Sequence, residues 1–132
     1  MINNYYNNLV NIFPKTISTD QQLDDLMKKY KLNNLNFLGV YARDKKPKLK
    51  KNDCIIFNTD NHDKQGEHWV ALCNNYVYDS FGSISIFKFN KKYNKTDKKP
   101  EQKIFEENCG YRCIAWILCC DKFGVKETSN II

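Results

Sequence analysis

Four residues in this sequence have the types and spacing of an acyl-transfer site: His68, Asp79, Gln102 and Cys109. His68 precedes the run Trp69-Val70-Ala71-Leu72-Cys73, and the pair Asn74-Asn75 separates that run from Tyr76-Val77-Tyr78-Asp79. Two β-type runs around an Asn-Asn pair predict a hairpin, because Asn tolerates the positive φ that a tight turn demands. With Asn74 and Asn75 as the turn residues, Val70 opposes Asp79 and His68 opposes Phe81. Opposed residues share a face, and so do residues two apart on one strand. His68 and Asp79 are then diagonal neighbours, their backbones roughly 7–8 Å apart, and one hydrogen bond between imidazole and carboxylate closes that gap. A four-residue loop keeps the parity and a three-residue loop destroys it. Taken singly, His68 reads as a half-buried histidine beside Trp69, and Asp79 as a turn former before Phe81-Gly82. The shared face raises both above those ordinary uses.

Cys109 supplies the nucleophile for such a pair. Asn108 is a good N-cap, and the apolar stretch from Cys109 to Phe123 predicts a helix buried at the centre of a small α+β domain. A thiol at a helix N-terminus meets unpaired N–H groups and the positive end of the dipole, both of which favour thiolate. Gly110 leaves room beside it for another backbone or a substrate. Acyl transfer also needs donors aimed at the oxyanion. The backbone N–H of Cys109 is one, and the side-chain amide of Gln102, seven residues upstream, is a candidate second. A surface Gln is commonplace, so spacing alone makes this the weakest of the four assignments. The chain order His, Asp, Gln, Cys differs from that of papain, and the caspase pattern is missing around Cys109.

The other five cysteines are 54, 73, 113, 119 and 120. None has C-x-x-C spacing, and His62 and His68 are the two histidines, so neither zinc nor any other cofactor is expected. The start of the chain, Met1-Ile2-Asn3-Asn4-Tyr5-Tyr6, lacks the basic and apolar regions of a secretory signal. That predicts a reducing compartment and six free thiols, most of them small buried hydrophobes. No run of about eighteen apolar residues is present, so no membrane span is expected. The net charge of +6 is concentrated in two lysine runs, one from Lys45 to Lys51 and another from Lys88 to Lys99. Either they are solvated loops or they form a polyanion surface. Without interleaved aromatics or arginine forks, such a surface would bind DNA without regard to sequence.

The elements that must position these groups are legible in outline. Thr19 to Gln22 fits a capping box, and Leu23, Leu26, Met27 and Tyr30 follow with helical period, predicting a helix over 20–31. Leu35 to Tyr41 and Cys54 to Asn58 read as strands around a lysine-rich loop with Pro47. Ile84 to Phe89 alternates like a further strand, and residues 90–100 read as a hydrophilic loop. At 132 residues the chain is expected to form one domain.

In this light the sequence resembles the adenovirus-type maturation cysteine proteases (adenain-like) and, more distantly, the ubiquitin-like-protein proteases of the same clan. The matching segments run in order: Phe37-Leu38-Gly39-Val40-Tyr41, Cys54-Ile55-Ile56-Phe57-Asn58-Thr59, Gly66-Glu67-His68-Trp69, Asp79-Ser80-Phe81-Gly82, Gln102, and Asn108-Cys109-Gly110-Tyr111-Arg112-Cys113. The resemblance implies a papain-like fold with permuted order, in which a small antiparallel or mixed sheet packs on a central helix that starts at the nucleophile. It implies His68 as base, Asp79 as orienter (often Glu in such enzymes), Gln102 as oxyanion donor and Cys109 as nucleophile. It also implies cleavage of viral precursor proteins after small residues, at Gly-Gly or Gly-X sites, by a monomer working in the virion or in host cytoplasm or virus factories of a double-stranded DNA virus or virophage. Two departures stand out. The connection from His68 to Asp79 is short, and residues 90–101 hold no cysteine to accept a disulfide-linked activating peptide. The rival expectations are an isopeptidase for a ubiquitin-like modifier and a non-enzymatic DNA-binding or scaffold protein of the same fold.

Overall fold

The computed structural model describes residues 1–14, 19–58, 69–79, 94–95 and 110–132. Its elements are α1 (Ile2–Ile12), α2 (Asp20–Lys28), β1 (Asn36–Tyr41), β2 (Asp53–Asn58), β3 (Trp69–Cys73), β4 (Tyr76–Tyr78), β5 (Asn94–Lys95), α3 (Gly110–Phe123) and α4 (Val125–Ile131), with a short 3-10 turn at Arg43–Lys45. The sheet order is β1-β2-β3-β4-β5. β1 runs parallel to β2 and β4 parallel to β5, while β2–β3 and β3–β4 are antiparallel. The fold class is therefore α+β with a small mixed sheet.

Register within the hairpin pairs Ala71 with Tyr78, Leu72 with Val77 and Cys73 with Tyr76, as a two-residue turn at Asn74-Asn75 requires. Asn74 carries the positive φ, at 54°, and its side-chain oxygen accepts from the Asn52 N–H. Alternation then divides the sheet. Cys54, Ile56, Ala71, Cys73 and Tyr78 join the helices in one large core, and Ile55, Phe57, Val70, Leu72 and Val77 form a second cluster on the other face. Tyr41, Leu38 and Leu49 pack against that second cluster.

The central helix α3 is buried along nearly its whole length, as its apolar sequence predicts. It lies on β3 and β2, flanked by α1 and α4, with α2 over β1. At its far end Asp121 accepts from the backbone N–H groups of Asn33, Asn34 and Leu35 at 2.7–3.1 Å. The Asn34 side chain returns a bond to the Asp121 carbonyl at 2.7 Å. A carboxylate that gathers three amides of one turn fixes the chain just before β1.

Several expectations need correction. The capping box forms as predicted, with Thr19 and Gln22 exchanging bonds, but α2 stops at Lys28 rather than at residue 31. The N–H groups of Lys29 and Tyr30 bond three residues back, to Leu26 and Met27, which tightens and ends the helix. Tyr30 then turns its ring edge-on to Phe13, at 5.8 Å between centroids. The 90–100 segment read as loop supplies β5, whose Asn94 and Lys95 pair with Tyr76 and Val77. The expectation of six free thiols also fails, because Cys54 and Cys73 are joined by a disulfide. They are opposed residues of β2 and β3 with Cα atoms 4.2 Å apart. Closing that loop, with sequence separation 19, stabilises by about 3 kcal/mol in the chain-entropy picture. Cys113, Cys119 and Cys120 are buried thiols outside that disulfide. The expected strand at 84–89 lies outside the described residues.

Candidate active site

Of the four residues singled out by chemistry, Asp79 is described; His68, Gln102 and Cys109 lie outside the described residues. Asp79 directly follows β4 and is only 4% exposed. In the chain, His68 directly precedes β3 and Cys109 directly precedes α3. The geometry of the elements that carry these positions is therefore what the structure contributes.

The β3–β4 register brings the start of β3 and the end of β4 to one end of the sheet. The first turn of α3 is fastened to that end. Arg112 donates from Nη1 to the Tyr6 hydroxyl at 3.3 Å, and the Tyr6 and Tyr78 hydroxyls share a hydrogen bond of 2.7 Å. One turn further along, the Trp116 ring stacks on Tyr78, with centroids 5.4 Å apart and planes 7° from parallel. Aromatic pairs of this kind contribute about 0.5–1.5 kcal/mol beyond area burial. Tyr6, Tyr78 and Trp116 are buried, so the contacts among them are shielded from water, while Arg112 reaches in from a half-buried position. The residue before Asp79 and the first turn after Cys109 are thus linked through a tyrosine of α1.

Strand alternation adds a constraint. Tyr78 faces the helical layer, so alternation carried one residue further sets Asp79 on the Val77 side. A carboxylate there can work with a thiol at the head of α3 only at the rim of the sheet, where β4 has ended. Position 79, the first residue past the strand, meets that condition.

Gly110 has a different reason from the one its sequence position suggests. A Cβ built there would lie 2.5 Å from Leu23 Cδ2 and 3.0 Å from Leu23 Cδ1. Leu23 is completely buried. The space that glycine leaves is filled by α2, not held open for a substrate. An open concavity of about 240 Å³ lies between α2 and β1, lined by Asp20, Gln21, Asp24 and Leu38 to Tyr41. Tyr41 ends β1 at the same end of the sheet as Trp69.

The remaining described thiols do not compete for the role of nucleophile. Burial pushes the Cys119 thiol up to about 12, with Lys122 opposing the shift. Cys120 is raised in the same direction, again chiefly by burial. Both are protonated and inert near neutral pH. The first lysine run is largely in solvent: Lys45, Lys48, Lys50 and Lys51 are exposed, while Lys46 sets its ammonium 4.3 Å from the centre of the Phe57 ring.

Sequence reasoning missed Tyr6 and Tyr78 and gave Arg112 no role. Their signal was available only in part: Tyr6 sits on an apolar stripe with Ile2, Leu9, Val10 and Phe13, but nothing in the sequence pairs it with position 78 or 112. What fold and geometry define is an α+β domain whose central helix is tied through Tyr6 to the last residue of the hairpin's second strand. Comparison with protein-family models, curated proteins and solved structures found no match to this chain. No helix among the described residues is long and apolar enough to cross a membrane.

Proposed function

We propose that this chain is a cysteine endopeptidase of papain-like fold with permuted His-Asp-Gln-Cys order, acting on viral precursor proteins after small residues during virion maturation. The observation that supports this most strongly is the Arg112–Tyr6–Tyr78 bridge. It links the first turn of α3, which follows Cys109 in the chain, to Tyr78, which precedes Asp79, at the end of the sheet where β3 begins. The proposed nucleophile, base and orienting carboxylate adjoin three separate elements in the chain, α3, β3 and β4, which a triad requires to meet at one locality.

In the proposed reaction the Cys109 thiolate attacks the scissile carbonyl and forms a C–S bond. Gln102 and the Cys109 N–H stabilise the oxyanion. Collapse of the tetrahedral adduct expels the amine, which takes its proton from the His68 imidazolium, while Asp79 orients the ring. Water, deprotonated by His68, then adds to the thioester and releases the acid and the free thiol. The substrate class and the setting in a virion or virus factory rest on the resemblance described above. The exposed lysines of the loop before β2 favour an added, sequence-independent contact with DNA.

The test is proteolysis itself. Recombinant protein is incubated with candidate virion precursors, and the new N-termini are mapped by mass spectrometry. Cleavage after small residues, absent in Cys109→Ala, is the expected result. Cleavage that survives Cys109→Ala would exclude the mechanism, and activity restricted to modifier conjugates would turn the reading toward an isopeptidase.

A further inference from the structure

We infer that Tyr6, on the N-terminal helix, is a positioning residue of the site, its hydroxyl setting the first turn of α3 against the end of β4; the inference rests on the proposed thiol chemistry. An arginine side chain has donors and no acceptor, so Arg112 must give its hydrogen to the Tyr6 oxygen. The Tyr6 and Tyr78 hydroxyls share a second hydrogen bond of 2.7 Å. The result is a continuous bridge from α3 to α1 to β4, across 106 and 72 residues of sequence. Both tyrosines are at least 98% buried, at 2% and 0% exposure. In so dry a setting the Tyr6–Tyr78 bond cannot be replaced by bulk water without disturbing the packing.

The placement of this bridge is what gives it functional weight. Arg112 lies three residues after Cys109 in the chain, and Tyr78 lies one residue before Asp79. A small relative shift of α3 and β4 moves the two ends of the proposed triad in opposite senses. Misplacement of reacting groups by about 1 Å can cost about 100-fold in rate. Helix α1 is thus a working part of the site rather than a cover for the core.

Tyr6→Phe isolates the effect, since the ring that meets Tyr78 edge-on at 6.5 Å is kept and only the bridging oxygen is lost. The readout is the rate of alkylation of Cys109 by iodoacetamide at pH 7, mapped by mass spectrometry together with Cys113, Cys119 and Cys120. The expected result is a fall of about tenfold or more at Cys109, with the three buried thiols as protected as in the wild type. On a fluorogenic tetrapeptide amide ending in Gly-Gly, kcat falls with KM unchanged. Tyr78→Phe cuts the same bridge from its other end, and the double variant loses no more than either single one. A Cys109 rate within twofold of wild type in both single variants would overturn the inference and leave the protease reading intact. So would slowing that accompanies labelling of the buried thiols, since that marks general loosening. A wild-type Cys109 no faster than free cysteine would instead remove the protease reading, and this inference with it.

Discussion

Replacing Asp121 should uncouple the far end of α3 from the sheet, and the hydrogen bonds there set the size of the effect. Its Oδ1 accepts from Asn33 at 3.1 Å, Asn34 at 2.7 Å and Leu35 at 2.8 Å, and Oδ2 accepts from Asn33 at 3.0 Å. Asp121→Ala strands three amides that a charged acceptor had satisfied. Each costs about 1–3 kcal/mol if it stays dry, but Asn33 and Asn34 are exposed and recover water. A net loss of about 3 kcal/mol follows, mostly from Leu35 and the lost charge. With an unfolding entropy near 2.1 cal/mol/K per residue, that lowers Tm by about 10 °C. Asp121→Asn keeps one oxygen for the three-bond position and gives up the single Oδ2 bond and the charge, so about 1 kcal/mol, or about 4 °C, is expected. Thermal melts followed by circular dichroism at fixed pH measure both. An alanine variant melting within 1 °C of wild type would refute the reasoning, as would an asparagine variant as unstable as alanine.

Gly110→Ala should destabilise by about 1–3 kcal/mol through overpacking, because its Cβ would press on the buried Leu23; Leu23→Ala should relieve part of that loss in the double variant, and simple additivity in denaturant melts would argue against the contact. Stability should also fall in alkali. The folded-state pKa of Cys119 is raised from 9.0 to about 12, so its contribution is complete below about pH 9 and is lost as pH climbs toward 12, at about 1.4 kcal/mol per pH unit. Cys119→Ala should flatten that slope in urea titrations between pH 8 and 10.5, and an unchanged slope would exclude Cys119 as a source. Gln102→Ala should lower kcat by about 10²–10³ with KM nearly constant, and an effect confined to KM would make Gln102 a binding residue.

The four longer strands and the central helix were legible because short range decides them. Val, Ile and aromatic runs broken by Asn-Asn or Lys-rich segments fix β1 to β4, and the turn length alone fixes the β3–β4 register. The capping box fixed the start of α2, while its end depended on Tyr30 reaching Phe13, a contact invisible in local sequence. Helix α1 escaped notice because asparagines crowd its exposed face, although Ile2, Leu9, Val10 and Phe13 keep the helical period. The disulfide was hidden for a different reason. Compartment arguments say nothing about which cysteines face each other, and Cys54 and Cys73 oppose only once β2 and β3 are paired. At the site, sequence spacing carried the hairpin pairing and Asp79's position at its open end. The bridge through Tyr6, Tyr78 and Arg112 joins three elements distant in sequence and becomes readable only in the folded chain.

The central claim, that Cys109 is an activated thiol, is tested most directly by competitive alkylation of the native wild-type protein. A limiting amount of iodoacetamide is added at pH 7, the protein is digested, and labelling is quantified at each cysteine. The account predicts that Cys109 is labelled first and at least about tenfold faster than free cysteine, with Cys113, Cys119 and Cys120 protected by burial. Labelling of Cys109 no faster than free cysteine, or after any buried thiol, would contradict it.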